Sequence, residues 1–192
     1  MNEPLATHQR LTTDLSQYNN SWFKPGSRWK ILLWIPVNVI FFNNGLSLFT
    51  GLKCFLLRIF GAKVGKGVMI KPSVNIKYPW FLEIDDYAWI GEKVWIDNLT
   101  NVYIGKNACL SQGVLLLTGN HDFCSQYFDL SIGKIVLEDG VWIGAKAIVC
   151  PGVTCKSHSV LTVASVATKD LDEYTIYSGS PAVKIKERLI NK

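Results

Sequence analysis

From residue 61 onward the chain places an aliphatic or small residue at every sixth position. Val64, Ile70 and Ile76 set one frame, Ile84, Ile90 and Ile96 a second, and Ile104, Leu110 and Leu116 a third. Leu137, Ile143, Val149, Cys155, Leu161 and Ala167 make the fourth. A helix repeats its apolar positions at three and four and a flat strand at two, so neither yields six. A ribbon wound from short strands and corners does. Each frame residue then points inward once per face, while Gly144, Pro151, Gly152 and Ser157 turn corners or meet water. Three faces give a triangular coil of about eighteen residues, stacked on the next at roughly 4.8 Å. Slips of two residues after Leu82 and after Val102 are tolerable where the extra pair bulges outward at a corner.

One interval breaks the pattern. Between Leu116 and Leu137 the inward positions would fall on Asp122, Phe128 and Lys134, two of them charged. The stretch GNHDFCSQYFDLSIGK is therefore expected to leave the ribbon as a projecting loop, 119–136, with His121 at its root. An excursion from a rigid scaffold is a common place for chemistry.

Upstream, the composition shifts abruptly at Trp29. The twelve residues ILLWIPVNVIFF carry no charge, Asn43, Asn44 and Gly45 interrupt them, and LSLFTGLKCFLLRIFG follows. Each run is shorter than the roughly twenty residues that span a bilayer, and Pro36 with the Asn-Asn-Gly turn predicts a pair of short helices. Two readings stand: packing against the repeats or a neighbouring subunit, or shallow contact with a membrane. The second rests on Trp29, Trp34, Phe41 and Phe42 beside Arg28 and Lys30, an interfacial pattern. Residues 1 to about 28 are polar and end in a Pro25-Gly26 turn, as expected of a surface arm. The expected organisation is an arm and helical extension over 1–60, a β-helix over 61–172 and a short tail over 173–192.

A chain of 192 residues with 48% hydrophobic content forms one principal domain with a real core. The net charge of +5 is scattered, which favours small anionic ligands over nucleic acid. Five cysteines form no CxxC pair, and the N-terminus lacks both the basic start and the apolar core of a secretory signal. A reduced, cytoplasmic chain is expected, with the inner face of a membrane as an additional location.

Of three histidines, His8 sits in the polar arm and His158 beside a repeat corner between Ser157 and Ser159, so both read as surface residues. His121 differs: it stands where the coil is left, after Gly119 and Asn120 and beside Asp122. An imidazole there, held by a carboxylate, suits a general base. With no closely spaced histidine pair no metal is expected, and neither a serine nucleophile elbow nor a Walker loop is present. Direct acyl transfer from a thioester fits: it needs a base, an oxyanion donor and a slot for a long carrier. The Lys169 region and Lys184, Lys186 and Arg188 could meet its phosphates.

The repeats, with TGNHDF, VWIGAKAIVCPGVT, ASVATKDL and the closing SGSPAVKIKER, resemble the hexapeptide acyltransferases. FLLRIFGAKVGKGVMIKPSVNIKYPW, DDYAWIG and TGNHD narrow the resemblance to the acetyltransferases of colanic acid biosynthesis, from about Asp14 onward. It implies a mainly β fold, a left-handed parallel β-helix assembled as a homotrimer, with acetyl-CoA as donor. The implied acceptor is a sugar hydroxyl on an exopolysaccharide precursor. His121 matches the catalytic histidine, oriented by Asp122 or Asp97. Asp97 and Asn98 lie where acceptor-binding polar residues occur, and Trp142 matches an aromatic lining the cleft. Gly144, Ala164, Ser165 and Lys169 match the coils along which CoA lies, with Lys184 and Arg188 in the tail. Where the family shows Gly-Asn-Pro-Ala, this chain has Gly179, Ser180, Pro181 and Ala182, which keeps the turn and loses the asparagine. An acetyltransferase of antibiotics or amino acids, and a non-catalytic trimeric scaffold, are the alternatives.

Overall fold

A computed structural model describes residues 11–191; His8 and the start of the arm lie outside the described residues. The period of six becomes three parallel ladders. The first face stacks Lys63–Val64, Leu82–Ile84, Val102–Ile104, Ile135–Leu137 and Thr154–Cys155. The second runs from Met69–Ile70 to Val160–Leu161 and continues into Thr175–Gly179, and the third from Asn75–Ile76 to Val166–Ala167. Frame residue opposes frame residue: Ile90 lies between Ile70 and Leu110, and Leu116 between Ile96 and Val149. Every frame residue from Ile70 to Ala167 is buried; Val64, at the open edge, is half-buried. The mainly β, parallel helical fold with an N-terminal helical extension is thus the one observed.

Corners form at a fixed point, three residues before the frame residue, where the backbone turns left-handed. Gly67, Gly113, Gly140 and Gly152 occupy this point, but so do Ser73, Tyr87, Lys93, Asn107, Lys146, His158 and Ala164. Each non-glycine there costs about 1–2 kcal/mol, offset by the ladder bonds that the turn makes possible. The expected small corner residues are therefore only part of the set.

The slips in period also have a definite place. They lie before Leu82 and before Val102, not after them, because those residues are already buried in the next strand. The extra residues are the helical turn Pro79–Phe81 and the segment 98–101, both between the third face and the first. The long interruption before Ile135 falls at that same corner one coil later. Three successive coils are thus thickened along one edge of the prism.

The extension forms α1, Arg28–Val37, prolonged by a π turn Asn38–Phe42, and α2, Thr50–Ile59. Pro36 is accommodated inside α1, and the break comes at Asn43 and Asn44. In each coil the carbonyls equivalent to those of Ile84, Ala88, Ile90 and Ile96 accept from the coil before. The first coil has no predecessor, and the extension supplies the donors. Trp34 Nε1 donates to Ile76 (2.8 Å), Thr50 Oγ1 to Ile70 (3.1 Å), Lys53 Nζ to Lys71 (2.8 Å) and Arg58 to Val64 and Gly65. Leaving a buried carbonyl such as that of Ile76 unpaired would cost about 1–3 kcal/mol, so the helices act as a cap on an open sheet edge. Of the two readings of this segment, packing against the repeats is realised. Among the described residues no helix is long and apolar enough to cross a membrane.

The expected tail is more than a tail. Thr175–Gly179 joins the second face beside Val160–Leu161, and Ala182–Glu187 folds back antiparallel on it through the Ser180-Pro181 turn.

Candidate active site

The thickened edge is knit together from coil to coil. Asn98 is buried, and its amide brackets Tyr78 in the coil before, accepting from the Tyr78 N–H (3.0 Å) and donating to its carbonyl (2.7 Å). Thr118 Oγ1 accepts from Leu99 N–H (2.7 Å) and donates to the Asp97 carbonyl (3.0 Å). Asp97 pairs with Lys77 at 2.7 Å. On this footing the chain leaves the coil as an antiparallel hairpin, Gly119–His121 against Leu130–Ile132, and returns at Ile135.

His121 ends the outgoing strand. Its Nδ1 lies 2.8 Å from the carbonyl oxygen of Phe128, and its ring stacks on that of Phe128 at 4.4 Å and 9°. A carbonyl only accepts, so Nδ1 carries the proton and, in the neutral ring, Nε2 keeps its lone pair. Phe128 has φ +54°, a left-handed conformation that costs an aromatic residue about 1–2 kcal/mol. The hairpin tip holds it there: Phe128 N–H donates to the Ser125 carbonyl (3.1 Å), and Ser125 Oγ donates to Asp129 Oδ2 (2.6 Å). The residue that both bonds and stacks on the imidazole is thus itself held in a strained conformation. Asp122 points elsewhere, its Oδ1 accepting from Cys124 N–H at 2.9 Å.

The arm reaches this hairpin too. Asp14 N–H donates to the Gln126 carbonyl (2.8 Å), and the Tyr18 ring lies 5.7 Å from the imidazole. Tyr18 and Phe128 carried no signal in the sequence, one lying in a polar arm and the other within the projecting loop.

The other candidate residues fall into separate groups. Lys169 is exposed at the His121 edge, next to Thr168. Thr168 lines a crevice of about 500 Å³ with Asn120, Gly133, Cys150 and Pro151, between hairpin root and coil. Gly144 and Ala164 lie at a different corner, between the second and third faces, where Ala164 N–H donates to the Ala145 carbonyl. Ser165 is buried there, its Oγ accepting from Gly179 N–H (3.0 Å). Trp142 is half exposed on the outer side of the second face, with Nε1 donating to Ser111 Oγ (3.0 Å). Lys184 is exposed on the terminal hairpin, whereas Arg188 donates to the carbonyls of Gly140 (2.9 Å) and His158 (3.0 Å) and fastens that hairpin to the coil. His158, half-buried, packs on Tyr174 at 4.7 Å. The described residues contain no group of three His, Cys, Asp or Glu side chains disposed to hold a metal.

No protein-family model matches the chain. It is 39% identical over 167 residues to the colanic acid biosynthesis acetyltransferase WcaF of Escherichia coli (strain K12), covering 87% of this chain and 92% of that one. Its fold is similar to that of a maltose O-acetyltransferase from Clostridium difficile 630 (TM-score 0.76, 23% identity, 84% and 88% of the chains covered). A galactoside acetyltransferase in complex with coenzyme A gives a TM-score of 0.75 at 24% identity, covering 83% and 80%. With repeats, capping helices and histidine hairpin in place, and with that identity over nearly the whole length, the chain belongs to the WcaF family of acetyltransferases.

Proposed function

We propose that the protein transfers an acetyl group from acetyl-CoA to a sugar hydroxyl on an exopolysaccharide precursor, with His121 as general base. One observation carries this reading: the Phe128 carbonyl at Nδ1 leaves Nε2 as the basic nitrogen of a half-exposed ring on a projecting hairpin. The acceptor O–H gives its proton to Nε2 as its oxygen attacks the thioester carbonyl carbon. The tetrahedral adduct then collapses, the C–S bond breaks, and the CoA sulfur takes the proton back from the imidazolium. Acetyl ester and free CoA leave, and no acyl-enzyme forms. Positioned base catalysis of this kind contributes about a hundredfold to ten-thousandfold.

The Nδ1 partner in this scheme is the Phe128 carbonyl in place of a carboxylate, and Asp97 is largely buried in its pair with Lys77. The separation of the candidate CoA residues supports a homotrimer. Lys169 and the crevice beside Asn120 lie on one edge of the prism, Gly144 and Ala164 on another. They can line one slot only across the boundary between adjacent copies. The match to a colanic acid acetyltransferase spans 87% of the chain, against 31% for the chloramphenicol acetyltransferases at similar identity, and this supports a polysaccharide-precursor acceptor over an antibiotic.

Mass-spectrometric detection of acetyl transfer from acetyl-CoA to a panel of nucleotide-linked and lipid-linked sugars tests the reading. A sugar acetylated by the native chain and not by His121→Ala is the expected result. Acetylation of none of them, or equal rates from both proteins, removes it.

A further inference from the structure

The capping helices turn one side to the coil and leave the other bare. On α2, Lys53, Cys54 and Leu57 are buried, while Leu52, Phe55 and Ile59 are exposed on the opposite side. On α1, Trp34 is buried, whereas Trp29 is 76% and Leu33 is 63% exposed. The connection between the helices adds Leu46 at 87% and Phe49 at 76%. Twelve large apolar side chains between 29 and 59 are exposed in this way. A patch of such density at one end of a rigid prism calls for an occupant, since single exposed apolar residues are ordinary but contiguous ones are not.

Charge says which occupant. Residues 15–82 hold nine Lys and Arg and no Asp or Glu, whereas residues 83–192 hold ten basic and thirteen acidic residues. The excess of positive charge is thus concentrated at the end of the molecule that carries the patch. Among the described residues none of Lys24, Arg28, Lys30 and Arg58 lies in a salt bridge, although Lys30 also sits over the Trp80 ring at 5.0 Å. An apolar surface with aromatic side chains and uncompensated cations around it matches the boundary of an anionic bilayer. Two ten-residue helices are too short to span it and suited to lie along it.

We infer that the outer side of α1 and α2, with Leu46 and Phe49 between them, docks the protein onto an anionic lipid surface without crossing it. Apolar side chains enter the headgroup boundary, and Arg28 and Lys30 meet lipid phosphates. The inference rests on the surface alone and is independent of which hydroxyl is acetylated.

Flotation of the full chain with vesicles tests it, using phosphatidylcholine alone against equal parts phosphatidylcholine and phosphatidylglycerol. The chain should float with the mixed vesicles, bind the neutral ones far more weakly, and be released as salt is raised. The double variant Phe49→Glu/Phe55→Glu should lose binding about tenfold or more. Ile190→Glu, an exposed position on the terminal segment, should not change it. Both variants are checked for native circular dichroism and native mass without lipid; should the double variant fail to fold, Phe49→Ser alone replaces it. Failure of the native chain to float with anionic vesicles overturns the inference, as does flotation unaffected by the Phe49 and Phe55 substitutions. A fall in lipid-free mass of the double variant would show the patch covered by a second copy, and would also overturn it.

Discussion

The Phe128 carbonyl oxygen stands 2.8 Å from Nδ1 of His121, and the two rings lie face to face at 4.4 Å. One residue thus sets both the tautomer and the tilt of the imidazole, and it does so from a left-handed backbone conformation. Substitutions at these two positions should accordingly give different kinetic signatures.

His121→Ala should lower the acetyl transfer rate by about a hundredfold to ten-thousandfold, the usual worth of a general base. CoA binding, followed by calorimetry, should stay close to native, because the imidazole acts on the acceptor proton. A variant of native rate ends the assignment.

Phe128→Ala keeps the carbonyl and removes the stacking ring. The expected result is a kcat about tenfold lower with little change in KM for CoA, as for a positioning residue whose loss misaligns the base. Phe128→Gly, which relieves the φ of +54°, should be the more stable of the two in thermal unfolding and no more active.

The root of the hairpin depends on close approach of two backbones. A Cβ at Gly133 would collide with the main chain of Gly152, whereas one at Gly119 would meet the Leu99 side chain. Gly133→Ala should therefore displace the hairpin and lose activity and stability together. Gly119→Ala should be milder, and Leu99→Ala in the same chain should restore part of the loss, a coupling that a double-mutant cycle measures.

Lys53→Met should destabilise the fold by about 1–3 kcal/mol, because the buried carbonyl of Ile70 and the partly buried one of Lys71 both lose a donor. Trp34→Phe, which removes the donor to Ile76 and keeps most of the ring, should fall in the same range. Chemical denaturation of each variant supplies the comparison.

Tyr103 donates to Asp85 Oδ2 at 2.7 Å, and this bond, with burial and the nearby carboxylates, pushes its phenol up to about 12 from the ordinary 10.0. The folded state holds this proton more tightly than the unfolded one, so its stabilising contribution is complete below pH 10 and fades as pH rises through about 12. A late tyrosinate absorbance phase should be seen in the native chain. In Asp85→Asn it should move toward the ordinary value.

The architecture was legible because frame residues such as Ile90, Leu116 and Leu161 all face one interior, so a period in sequence is a period in space. The departure of the chain after Leu116 was legible for the same reason, since Asp122 and Lys134 could not point inward. Corner positions were harder to read. Tyr87, Lys93 and His158 adopt the left-handed turn because stacked neighbours enforce it, and nothing in those residue types announces it. Two-residue slips looked like isolated bulges, and only the stacking places them all on the edge that supports His121. The partner of Nδ1 was beyond sequence altogether, being a main-chain carbonyl, which every residue possesses.

The capping of the first coil by Trp34, Thr50, Lys53 and Arg58 has a consequence for shortened forms of the chain. Stripped of the segment before residue 61, the prism would expose a ready strand-pairing template at its start, while Ala182–Glu187 would still shield one side of its finish. Such a fragment would tend to polymerise end to end, and the two short helices can be regarded as the stopper that keeps the wound ribbon from growing into a fibre.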